Sequence, residues 1–140
     1  MSKNNCSENS IVFSNKEVEF LQNNEICRIA TSSNNIPHIV PVAYIFDKGM
    51  FYFATDYATV KFKNLKENRK IAIAVDVYDS QNNKAVVVQG VAEFIERGEE
   101  FKRIYAIFRE RFDWVRQEPW IEGESPFIVV KPDHKVSWGL

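Results

Sequence analysis

The segment Ile39-Val-Pro-Val-Ala-Tyr-Ile-Phe46 leaves neither of its alternating faces polar, and Val86-Val-Val88 repeats the condition. A strand buried on one side only alternates apolar with polar residues, so these two need cover on both sides. Tight turns such as Asn34-Asn35 and Asp47-Lys-Gly49 separate the neighbouring segments, and strands joined in this way pair antiparallel. The chain is thereby confined to a mainly β architecture, a barrel of short antiparallel strands with peripheral helices rather than a layered α/β sheet. One face of each doubly apolar strand should line the barrel. The other should meet a helix, a bound aromatic ligand or a second subunit. For 140 residues, a homodimer is the simplest source of that cover.

Residues 1–12 read as a polar tail and 13–140 as one domain. Ser14-Asn-Lys-Glu17 is a capping-box pattern and predicts a helix to about Asn24. Strands are predicted over 26–32, 37–46 and 50–55, then a short basic helix over 59–68. Two longer strands follow, over 71–78 and 84–95. Phe101, Ile104, Tyr105, Phe108 and Phe112 then form one continuous stripe at helical spacing. Residues 113–124, with Trp114 and Trp120, read as an ordered loop, and 126–131 with 136–138 as a closing hairpin.

The formal net charge of −1 weighs against a nucleic-acid or membrane-surface binder. Cys6 and Cys27 cannot build a disulfide framework, and neither stands in a metal-ligand spacing. No leader or membrane-length apolar run is legible, which predicts a soluble cytoplasmic protein. Catalytic triads, paired carboxylates and Gly-rich phosphate loops are also missing.

The basic charge is local. Lys61, Lys63, Lys66, Arg69 and Lys70 stand against Glu67 alone, and two of these lysines open the short helix. Free N–H groups already make a helix start positive, so lysine is disfavoured there. Two explanations are open. An anion, a phosphate most simply, docks among Lys61, Lys63 and the hydroxyls of Thr55 and Thr59. Alternatively the helix is a solvated basic one and Asp56 supplies the negative charge.

The series Arg28-Ile-Ala-Thr31, Pro37-His-Ile-Val-Pro-Val-Ala-Tyr44, Phe51-Tyr-Phe-Ala-Thr55, Lys61-Phe-Lys-Asn-Leu65 and Gln89-Gly-Val-Ala-Glu93 resembles the pyridoxamine 5'-phosphate oxidase-like proteins, whose fold is the FMN-binding split β-barrel. Val75-Asp-Val-Tyr-Asp79 and Val136-Ser-Trp138-Gly are similar to a short subgroup of deazaflavin-dependent enzymes. The resemblance implies FMN at a homodimer interface and a small organic substrate. Val40, Pro41 and Val42 would then line the isoalloxazine edge. Thr55, Thr59 and Lys61 would meet the phosphate with Lys63 and Asn64 close by, and Trp138 would close over the ring from the partner subunit. Where the pyridoxamine oxidases carry Arg-Lys this chain has Val60-Lys61, and Ala85 stands where they carry a flavin-contacting Gln. Their C-terminal substrate-binding segment has no counterpart here, so pyridoxamine phosphate is not the expected substrate.

The expected function is therefore an FMN-dependent oxidoreductase. Two alternatives keep the fold: a reductase using deazaflavin coenzyme F-420, and a flavin or haem binding protein without turnover. A haem would need His38 or His134 as its axial ligand. Asp76 and Tyr78 either reach the cleft or simply end a strand. Trp114 and Trp120 either form an aromatic lid or cover the barrel end.

Overall fold

The computed structural model describes residues 11–140; all but the last two residues of the predicted tail, and Cys6 with them, lie outside the described residues. The elements are α1 (Asn15–Gln22), β1 (Ile26–Ser33), β2 (Ile36–Ala43), β3 (Ile45–Asp47), β4 (Met50–Ala54), α2 (Val60–Glu67), β5 (Lys70–Tyr78), β6 (Asn83–Ile95), α3 (Gly98–Arg111), α4 (Asp113–Gln117) and β7 (Phe127–Trp138). The seven strands form one antiparallel sheet in the order β2-β1-β5-β6-β7-β4-β3, a split β-barrel. Its two edge strands are consecutive in sequence, so the chain from Ile36 to Asp47 joins one end of the sheet to the other.

That join corrects the single strand expected over 37–46. The strand breaks at Tyr44, which is fully buried and donates its hydroxyl to the Leu21 carbonyl at 2.6 Å. Before Tyr44 the chain pairs with β1; after it, with β4. Tyr44 is the corner. The Asp47-Lys-Gly49 turn is as expected, with Lys48 and Gly49 at φ 53° and 82°, the left-handed pair a two-residue hairpin needs.

The closing hairpin does not form. Residues 127–138 are one strand, paired with β6 along nearly its whole length. Between the two expected arms the structure has a bulge instead of a turn: Gln89 faces His134, Gly90 faces Pro132, and Asp133 is the extra residue. Gly90 is required there, because a Cβ would stand 2.4 Å from the Lys131 carbonyl oxygen. The loop expected over 113–124 contains a short helix, α4, which buries Val115.

Two apolar clusters cover the inner faces of the doubly apolar strands and, for Ile45, the outer face as well. Ile29, Phe51, Phe53, Ile73, Val86, Val88, Ile128 and Val130 fill the barrel with Leu21 of α1 and Leu65 of α2. Ile45, Tyr52, Phe127 and Val129 point the other way, onto Phe101, Ile104 and Phe108 of α3. So β3, β4 and the first part of β7 are covered on both faces within the chain. The outer face of the other strands is not. Register aligns Pro41, Arg28, Ala74, Val87 and Val136 in one row, and Ile39, Ala30, Ala72, Gln89 and His134 in the next. Ile39 is 68% exposed and Val136 55%, so this face, small and branched residues with Arg28, Gln89 and His134 among them, is open in the single chain.

Candidate functional site

Thr55 extends the β4–β7 ladder by one bond, its N–H donating to the Pro126 carbonyl at 3.2 Å. The chain then turns through Asp56 into α2. Thr59 is the N-cap of that helix: its Oγ1 accepts from the Phe62 N–H at 3.2 Å and donates to the Asp56 carbonyl at 2.9 Å. The Thr55 Oγ1 lies 2.9 Å from it, so both hydroxyls have partners within the chain. Two amides do not. Val60 and Lys61 hold the first helical positions, and their N–H groups have no partner among the described residues.

The first turn of α2 has no acidic residue. Asp56 precedes it, but its carboxylate accepts the Ser125 hydroxyl at 2.8 Å. Lys61 is half-buried, and burial pushes its ammonium below the ordinary lysine value against the raising pull of Asp56. Free amides, a partly desolvated ammonium and the positive end of a helix converge here, which is the chemistry of an anion site.

The space in front of them is a cleft of about 360 Å³ lined by Thr55, Asp56, Thr59 and Lys61 on one side. Trp114, Glu118, Trp120 and Ser125 line the other. The wall is ordered by its own bonds. The Trp120 Nε1–H donates to the Ser125 carbonyl at 3.1 Å and its backbone N–H to the Tyr105 hydroxyl at 3.2 Å. Trp114 and Trp120 stack with centroids 6.1 Å apart and planes within 5°. Trp120 also packs on Phe127, so the pair both covers the barrel end and walls the cleft.

Thr55, Thr59 and Lys61 therefore share one cleft. Lys63 is exposed and outside it. Asn64 faces the barrel, where its Nδ2 donates to the Thr31 hydroxyl at 3.0 Å. Val40 and Val42 turn inward onto the barrel core, while Pro41 belongs to the open outer face. Trp138, at the end of β7, faces Ala85 and donates its Nε1–H to Asn83 Oδ1 at 3.1 Å. Asp76 pairs with Arg28 on the outer face, and Tyr78 is exposed. His38 keeps its Nδ1 buried without a partner, and His134 bonds Asp133 at 2.7 Å; neither histidine lines the Lys61 cleft. Burial pushes the Cys27 thiol up to about 12, which leaves it inert.

Sequence reasoning missed Glu118 and Ser125, because both reach the cleft from a segment about 60 residues beyond Lys61. The tryptophans were the only local signal of that wall.

Among the described residues no helix is long and apolar enough to cross a membrane. A model of the pyridoxamine 5'-phosphate oxidase family matches residues 13–138. A search of curated proteins found no match. The fold is similar to that of a FAD-binding protein from Mesorhizobium loti, with a TM-score of 0.72 at 20% identity over 89% of this chain and 94% of that one. It is also similar to the FAD-binding protein from Mycobacterium smegmatis, with a TM-score of 0.64 at 20% identity over 92% and 96%. HutZ, the haem storage protein from Vibrio cholerae, gives a TM-score of 0.74 at 16% identity over 86% and 89%.

Proposed function

The chain belongs to the pyridoxamine 5'-phosphate oxidase family, and from that premise we propose that it is a flavin-nucleotide oxidoreductase acting on a small organic molecule. FMN is the smallest flavin that carries a phosphate for this site, held where two copies of the chain would face each other. The observation that carries this reading is Lys61: a half-buried ammonium beside two unpartnered amides at a helix start without acidic residues.

The residues present fit a flavin phosphate. Lys61 and the Val60 and Lys61 amides would hold it, with Thr55 and Thr59 shaping the floor. The ring would lie toward β2 at Val40-Pro-Val42, where the backbone offers hydrogen-bonding groups and the open outer face excludes water once a second copy covers it. Trp138 would contribute from that copy. A bound flavin supplies hydride or electron transfer, and the protein supplies placement and water exclusion.

The deazaflavin alternative has less support. Its anionic tail calls for further cations at the cleft, but Lys66 and Arg69 lie over the rings of Phe62 and Phe94 instead. A haem at the same interface would need His38 or His134 as its axial ligand; His134 stands on the open outer face, bonded to Asp133.

Titration with FMN, followed by absorbance and flavin fluorescence, tests the reading. Wild-type protein should bind saturably, and Lys61→Ala should weaken binding at least about tenfold, the scale of one lost charge-assisted contact. A bound phosphate raises the lowered pKa of Lys61, so affinity should decline as pH rises through that value. Unchanged binding by Lys61→Ala would overturn the assignment. Competition with coenzyme F-420 separates the two cofactors.

A further inference from the structure

The outer face of the sheet carries a second cleft, of about 470 Å³, that shares no lining residue with the Lys61 cleft. It exists because side-chain size varies along one row. From Ile39 the row drops to methyl groups at Ala30 and Ala72, then rises again at Gln89 and His134. Gly90, which has no room for a Cβ beside the Lys131 carbonyl, lines the same trough. The β6–β7 bulge forms its far side. There Asp133, the extra residue, lies with its carboxylate 2.7 Å from Nδ1 of His134, and re-aiming a side chain is a common use of a bulge. A carboxylate can only accept, so the shared proton sits on Nδ1 and the imidazole keeps Nε2 free.

We infer that this trough binds a small hydroxy acid, with Lys70 taking the carboxylate and His134 Nε2 meeting the hydroxyl. Lys70 stands two residues from Ala72 on β5, so both belong to the outer face. Its N–H donates to Asn68 Oδ1 at 3.1 Å, which fixes the backbone, while its exposed ammonium has no partner among the described residues. The Gln89 amide is likewise unpartnered there and can donate to the second carboxylate oxygen. Charge sets the class. The charged groups on the lining are Lys70 and Asp133, and the Asp133 carboxylate is already engaged by His134. One anionic group therefore suits the trough, whereas a phosphate would bring nearly two charges against Asp133. A hydroxyl fits Nε2 in either protonation state, donating to the neutral ring or accepting from the cation. Register sets Lys70 two strands and two residues from His134, about 12 Å between Cα atoms at ordinary sheet spacing, which suits a three- or four-carbon acid between their tips. A second copy on this face would roof the trough and strengthen both contacts by excluding water. A hydroxy acid has an oxidisable carbinol C–H, so the class agrees with the oxidoreductase reading without resting on it.

Titration with lactate, propionate, methyl lactate and chloride, followed by calorimetry and by the His134 ring nitrogens in NMR, tests it. Lactate should bind saturably and move the His134 Nε2 resonance. Propionate lacks the hydroxyl and methyl lactate lacks the charge, so each should bind at least about tenfold more weakly. Lys70→Ala should cut lactate affinity by a similar factor. His134→Ala should erase the preference for lactate over propionate and leave propionate unchanged. Both side chains are exposed, so both variants should melt with the wild type. Equal binding of lactate and propionate, a chloride effect as large as that of lactate, or lactate binding indifferent to Lys70→Ala would overturn the inference. Failure to bind lactate at high millimolar concentration would overturn it too. No flavin is added in these titrations, so such a failure leaves the Lys61 assignment to the FMN experiment.

Discussion

Glu17 accepts the ammonium of Lys135 at 2.9 Å and the hydroxyl of Ser137 at 2.6 Å, so the first helix is fastened to the last strand by a single buried carboxylate. The same side chain closes the capping box with the Ser14 N–H at 2.9 Å. Burial alone would raise its pKa, but Ser137, the Ser14 amide and Lys135 together hold it down at about 2 against an ordinary 4.5.

A carboxylate depressed in this way stabilises the fold above its unfolded value and loses that contribution as pH falls toward its folded value. The urea midpoint should therefore drop between about pH 4.5 and 2. Glu17→Gln should lose about 2 kcal/mol at pH 7 and flatten that acid limb. Equilibrium unfolding at a series of pH values checks both.

Thr59 caps α2 and lines the cleft where the phosphate is proposed, and two substitutions separate these roles. Thr59→Ala should cost about 1 kcal/mol of stability through loss of the cap. Thr59→Asp keeps a capping oxygen and restores most of that stability, but it sets a carboxylate where the phosphate is proposed. Its flavin affinity should fall well below that of Thr59→Ala. Unfolding and flavin titration on the same two variants give the answer.

Gly90→Ala should be severe for one methyl group. The Cβ would meet the Lys131 carbonyl oxygen at 2.4 Å and its carbon at 2.9 Å, both backbone atoms held by the β6–β7 ladder. A loss of about 3 kcal/mol is expected, read as a lower melting temperature.

The open outer face supplies a fourth expectation. Ile39→Glu and Val136→Glu replace the most exposed large apolar residue of each row with a charge, so light scattering should show a dimer for wild type and a monomer for the double variant. Far-UV circular dichroism should not change, because neither side chain packs into the barrel. Flavin affinity should fall with the dimer, since the ring is proposed to lie beside that face. A monomeric wild type at micromolar concentration would contradict the arrangement.

The legible parts of this molecule are those whose causes are local. Ser14 and Glu17 announce a helix start three residues apart, and the Phe101–Phe112 stripe fixes α3 by its period. Lys61 was legible because it breaks a local rule. What was not legible depends on residues far apart in the chain. Pro132-Asp-His134 has the composition of a turn, and only the long β6 beside it, with Gly90 making room, keeps it extended. Glu17 reads as a capping residue; nothing nearby shows that Lys135 and Ser137 will bury it. The Trp114–Glu118 wall meets Lys61 only because Ser125 and Pro126 bond to Asp56 and Thr55.

Pro37 and Pro41 lie four apart on β2, an edge of the sheet, where each must turn its ring nitrogen away from β1. The outward row of donors that a docking β-strand would read is thus interrupted twice within eight residues. Lateral growth into ribbons or fibrils is blocked at that border by covalent chemistry, without any charged guard. At this edge a neighbour must approach broadside, and a broadside contact about a two-fold axis is complete with the second molecule.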